Sequence, residues 1–167
     1  MRRYALQDMV RVRQHREEQA SEAVARARRA LVEAEKALLA AQTKLAEYAV
    51  WRVEEEKRRL DALMRRLLKL GELSDARQEI SALREHEYTL MDVVKRAEAA
   101  VAEAQARVDE ARQRHAQAVR DLEKLLEHRT IWQTETTRET ERAEDLELEE
   151  FSRPRVVEEE NSSYARN

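Results

Sequence analysis

One glycine, one proline and no cysteine in 167 residues leave few ways to fold. A compact fold turns often, and turns draw on Gly, Pro, Asn and Asp clusters. Such clusters are nearly absent here before residue 150. Aromatics make up only 4% of the chain against 40% charged residues, so a broad apolar core is excluded. Without cysteine there is no disulfide framework, thiolate nucleophile or thiolate metal site. No stretch approaches the roughly 20 apolar residues of a membrane span. Residues 1–10 show no apolar run of a secretory signal, so the expectation is a soluble, cytosolic protein without membrane insertion. The net charge of −3 is too small to call for nucleic acid, and none is expected as a partner.

What is present is Ala, Glu, Arg and Leu, the composition of a coiled coil. Apolar residues recur in alternating steps of three and four. Val24, Leu31, Leu38 and Leu45 alternate with Ala20, Ala27, Ala34, Ala41 and Tyr48. Further on, Ile80, Val94, Val101, Val108 and Leu122 alternate with Leu83, Leu90, Ala97, Ala104, Ala111, Ala118, Leu125 and Trp132. These are the a and d positions of two seams. Glu87, His115 and Arg129 are polar exceptions in the second. The first breaks after Tyr48, with Leu60, Leu63 and Leu67 as the next apolar set. Arg52 and Glu87 both fall at a positions on facing stretches, where an ion pair can fix the register.

The predicted fold is all-α, a long antiparallel two-helix coiled-coil hairpin with a disordered C-terminal tail. Helix 1 is expected over about residues 4–69, the turn over 70–74 and helix 2 over about 75–151. Gly71 suits a left-handed helix end, and Ser74 or Asp75 a cap of the next helix. Residues 152–167, with Pro154 and a run of three glutamates, read as the tail. Alanine at d gives a slim rod that buries little area. Marginal stability and fraying at the open end follow. Residues 1–29 carry net +4 and residues 135–160 net −7, so a hairpin would set opposite charges side by side.

No constellation for catalysis stands out, and the chain is not expected to be an enzyme. His15, His86, His115 and His128 include no i, i+4 pair. His115 at an a position reads as a seam residue or a register-fixing polar group. A single glycine makes no phosphate loop, and no cofactor or metal is expected. Trp51 flanks the seam break, either closing the edge of the core or offering a partner an anchor. Apolar flanks such as Leu39, Leu68 and Leu126 allow a monomer or a weak dimer.

Two stretches carry a family resemblance. Residues 48–58, with Tyr48, Trp51, Arg52, Glu55 and Glu56, resemble a Tyr-x-x-Trp-Arg-x-x-Glu-Glu pattern of the YscO (SctO) proteins of type III secretion systems. Residues 80–87, with Leu83, Arg84, Glu85 and Glu87, are similar to that family's Leu-Arg-Glu-x-Glu stretch. The resemblance implies a non-enzymatic central stalk, the counterpart of flagellar FliJ, located in the cytoplasm at the inner-membrane secretion apparatus and open to being exported itself. Its implied partners are a hexameric secretion ATPase, an export-gate protein and secretion chaperones. The nine residues just named would face the gate. By analogy with the γ-subunit of rotary ATP synthases, the open end would enter the ATPase ring. It carries Arg3, Arg11, Arg13 and Arg16 with Glu139, Glu144 and Glu147. A generic coiled-coil adaptor or scaffold, and a secretion chaperone or exported substrate, remain alternatives.

Overall fold

The computed structural model describes residues 4–65 and 70–152. Two helices account for nearly all of them, α1 (Gln7–Met64) and α2 (Leu70–Ser152), packed antiparallel along their length. At about 1.5 Å per residue they measure roughly 87 and 125 Å. Ala, Glu, Arg and Leu lose little side-chain freedom in a helix, and this composition carries both through without interruption. Along the surface, pairs one turn apart add support, such as Arg26–Glu22, Lys36–Glu33, Arg107–Glu103 and Arg114–Glu110. Neither helix is long and apolar enough to cross a membrane among the described residues.

The seam runs as the heptads predict. Every a and d position from Ala20 to Tyr48 and from Ile80 to Trp132 is buried or half-buried. Val10 and Val108 are the most enclosed side chains, at 0% and 1% exposure. The seam also extends beyond the apolar set, through Arg13 and Glu17 to Val10 on α1. There Arg13 Nη1 donates to Asp121 Oδ2 at 2.8 Å, and His115 Nε2 lies 2.8 Å from Glu17 Oε1. His115 is thus a register-fixing polar residue. Just before α1, Tyr4 is buried against His128 and Trp132. Its hydroxyl is 2.7 Å from His128 Nδ1, and its ring centroid is 5.3 Å from that of Trp132. At the next seam position, Arg129 Nε is shut off from solvent without a hydrogen-bond partner among the described residues.

The turn does not fall where the single glycine suggested. α1 ends at Met64, five residues early, and α2 is already helical at Leu70. Gly71, Ser74 and Asp75 are therefore helical residues, not a left-handed end and a cap. Gly71 has no positive φ. Helix formers on both sides outweigh the roughly 1 kcal/mol that one helical glycine costs. Residues 66–69, including Leu67 and Leu68, lie outside the described residues, as do Arg3 and the expected tail from residue 153.

The seam break also differs. Half-buried positions continue past Tyr48 through Arg52, Glu55, Glu56, Arg59 and Leu63, while Leu60 is 50% exposed. Charged residues fill the seam there because each finds an opposite charge within reach. Nor does the acidic stretch lie beside the basic one. Residues 137–152 of α2 are exposed throughout, and Arg13 pairs with Asp121 instead.

A Cβ built on Gly71 meets nothing within 4 Å. Gly71→Ala is therefore expected to stabilise the hairpin by about 0.5–1 kcal/mol, read by thermal or urea unfolding. A left-handed glycine at that position would make the same change destabilising.

Candidate functional site

The charged part of the seam and the aromatic residues beside it form the densest cluster of polar contacts in the molecule. Helical spacing explains how it assembles. Arg52, Glu55 and Arg59 continue the a/d steps of α1 after Leu45 and Tyr48, so they point at α2. Glu87 holds the facing a position on α2.

Arg52 bridges both helices. Its Nη1 donates to Glu56 Oε1 at 2.7 Å, and its Nε contacts Glu87. Glu56 also receives Arg84, with Nε at 3.1 Å and Nη2 at 3.2 Å. Glu55, 9% exposed, accepts two hydrogen bonds from Arg58 and one from Arg59, all at 2.7–2.8 Å. Arg59 then reaches across to Glu79 at 2.8 Å. The result is a chain of alternating charges crossing from one helix to the other three times. Multidentate, charge-assisted bonds of this kind specify geometry as well as attraction. The Arg52–Glu87 pair expected from the heptads is present.

The charges leave a mark on the carboxyl groups. Hydrogen bonds from Arg58, then from Arg59, hold the Glu55 carboxyl down at about 2, against the opposing effect of burial. Arg84, with Arg52 behind it, holds Glu56 below the usual carboxylate range.

The aromatic flank lies on the same stretch. Tyr48 donates its hydroxyl to the Leu83 carbonyl at 3.0 Å. Its ring meets His86 edge-on at 4.7 Å between centroids, and Trp51 at 5.4 Å. Trp51 rests against Tyr48 and is 47% exposed, next to exposed Val50 and Val53 on α1. An apolar body with an open face of this kind is what interface anchors share.

Of the nine residues assigned to a gate contact, eight meet here: Tyr48, Trp51, Arg52, Glu55, Glu56, Leu83, Arg84 and Glu87. Glu85 is exposed and takes no part in the network. His86, Arg58, Arg59 and Glu79 belong to the cluster and were not picked out from the sequence. His86 sits in the matching stretch beside Glu87. Arg59 falls on the a step after Arg52, so the heptad count alone could have found it.

The residues assigned to the open end are more dispersed. Arg13 is held by Asp121, Arg11 lies 3.8 Å from Asp8, and Arg16 is exposed. Arg13 and Arg16 line a shallow groove with Asp8, Met9 and Val12. Glu139, Glu144 and Glu147 lie on the exposed part of α2, and Glu139 lines a second groove with Trp132, Thr136 and Ala143. Among the described residues no group of carboxylates and histidines is placed to hold a metal ion.

Two predictions follow from the network. Glu87→Ala strands the half-buried Arg52, so it should lower the melting temperature by more than the Arg52→Ala/Glu87→Ala double variant does. Thermal scans of the single and double variants decide this. The second concerns acid. Glu55 has a lower pKa in the folded chain than unfolded, so its contribution is complete above about pH 4.5 and lost as pH falls toward 2. Melting temperatures between pH 7 and pH 2 should drop more steeply for the parent than for Glu55→Gln, which starts lower at neutral pH.

Comparison with known proteins bears on what the rod is for. The family model described as type III secretion protein YscO matches residues 6–154. Among solved structures, the crystal structure of type III secretion protein YscO from Vibrio parahaemolyticus is 29% identical. It aligns with a TM-score of 0.82 over 87% of this chain and 92% of its own. CT670 from Chlamydia trachomatis, described as a YscO homolog, is 18% identical and aligns with a TM-score of 0.74 over 90% and 93% of the two chains, a likeness of fold. No curated protein matches the chain. With the two-helix hairpin and the matched span together, the chain belongs to the YscO family and is a component of type III secretion.

Proposed function

We propose that this YscO-family protein is the central stalk of its secretion system, standing in the cytoplasm between a hexameric secretion ATPase and the export gate. The observation that carries the reading is that the rod has two chemically different ends. Near the turn it offers a rigid network of Arg and Glu with an open aromatic face around Tyr48, Trp51 and His86. At the other end, exposed Arg11 and Arg16 lie near the start of α1, and α2 runs on as an acidic helix with Glu139, Glu144 and Glu147.

The open end enters the ring and the Tyr48–Trp51 face meets the gate. A single hairpin cannot present the same surface to six subunits at once. It contacts them unequally and so biases one subunit's state against its neighbours. No pocket or reactive group is needed for this, only a stiff shaft, and the protein acts without catalysing a reaction. Secretion chaperones are further partners, received along the same rod.

Titration of the chain into the assembled ATPase tests the reading. Saturation at a single stalk per ring with raised ATP turnover is expected. Trp51→Ala should keep helicity and ATPase stimulation while weakening binding to the soluble part of the gate protein by about tenfold. A coiled-coil adaptor would bind without stimulating. If Trp51→Ala unfolds the hairpin instead, the residue belongs to the core and the gate assignment fails.

A further inference from the structure

The seam of α2 does not stop where α1 does. Tyr4, just before α1, packs at His128 and Trp132. Beyond them the same a/d steps continue through Thr136, Glu139, Ala143 and Leu146. Trp132, Gln133, Thr136, Thr137, Thr140 and Ala143 line an open groove there. Every residue from 137 to 152 is exposed, so among the described residues nothing covers this continuation. Leu146, Leu148 and Phe151 are all exposed apolar side chains.

On its own this helix is poorly made. Thr130, Thr134, Thr136, Thr137 and Thr140 each bond the carbonyl four residues back, a contact that weakens and bends helices. Glu141 and Asp145, and Asp145 and Glu149, stand one turn apart as like charges. Five acids crowd residues 143–152 with no base among them, at the helix end where the backbone dipole is negative. A lone helix of this length is marginal even with favourable residues.

We propose that residues 133–152 are a docking strip that becomes fully helical only against a basic amphipathic helix of a partner protein, which takes up the seam where α1 leaves it. Charge selects this occupant. Residues 133–152 carry eight acids and two arginines, so a second copy of the strip repels it and a cationic helix is drawn to it. The apolar line from Trp132 through Ala143 to Leu146 then gives the incoming helix its register. The inference rests on the open end being the docking end, and it adds the chemistry of the partner and the folding of the strip on contact.

Amide hydrogen exchange on the full chain tests it, with a designed Leu/Arg heptad peptide as the probe. Free chain should show residues 137–152 exchanging at least ~10-fold faster than residues 90–125, and the peptide should slow them by a similar factor. Glu144→Gln/Glu147→Gln/Glu150→Gln should raise the protection of the free strip and abolish the response to the peptide. Full protection in the free chain overturns the proposal. So does equal protection by a scrambled peptide of the same charge, because bare attraction would then suffice. ATPase stimulation is scored separately. Stimulation without peptide-dependent protection sinks the strip and leaves the ring reading standing, whereas protection without stimulation supports the strip and sinks the ring.

Discussion

Two helices touching along one line have nothing behind them. Each side chain in the seam faces a single partner helix and then solvent, so enclosure is scarce. Among the described residues only Tyr4, Val10, Val24, Leu90, Val108 and Glu55 are buried. The remaining seam positions are half-covered. Apolar burial is therefore spread thinly over a long contact, and stability accumulates with length rather than with depth. That single constraint explains the small alanines, the absence of a substrate-sized enclosure, and a function that rests on shape and surface.

The same thinness makes room for charge. In a globular interior, Arg52, Glu55 and Glu87 would each face a large desolvation penalty. In the seam they keep one side near water and the other on an opposite charge, and Glu55 remains a carboxylate to about pH 2. What such groups contribute is selectivity. A slip of the helices by one heptad would set Arg52 against an apolar position and leave Glu87 alone, so the correct register is distinguished from its neighbours by far more than the alanines could manage.

Much of this was legible in the chain because heptads are local. The two seams, the hairpin, the Arg52–Glu87 pair and the role of His115 all follow from counting in threes and fours. What was not legible depended on knowing the partner at each level. Gly71 reads as a terminator only if the chain must turn there, and nothing local says that α2 is already under way at Leu70. The charged seam looked like a break because seam positions were sought as apolar ones. Leu60 looked like its continuation, although Arg59 beside it holds the place. Glu79 could not be assigned to Arg59 without the register across the helices. The unpaired stretch of α2 was hidden by the assumption that both helices end together.

The polar contacts across the seam are not evenly placed. Arg13–Asp121 and Glu17–His115 lie toward one end, and Arg52–Glu87, Arg84–Glu56 and Arg59–Glu79 toward the other. Between them, from Ala20 to Leu45 on α1 and from Leu90 to Ala111 on α2, the seam is entirely apolar and mostly alanine. Hydrogen-bonded pairs resist sliding, and smooth alanine contacts resist it little. The molecule is a bar clamped at two stations with a slick span of roughly 40 Å between them. A twist applied at one station is stored as torsion along the span and released at the other, so the spacing of the clamps sets how stiff the shaft is.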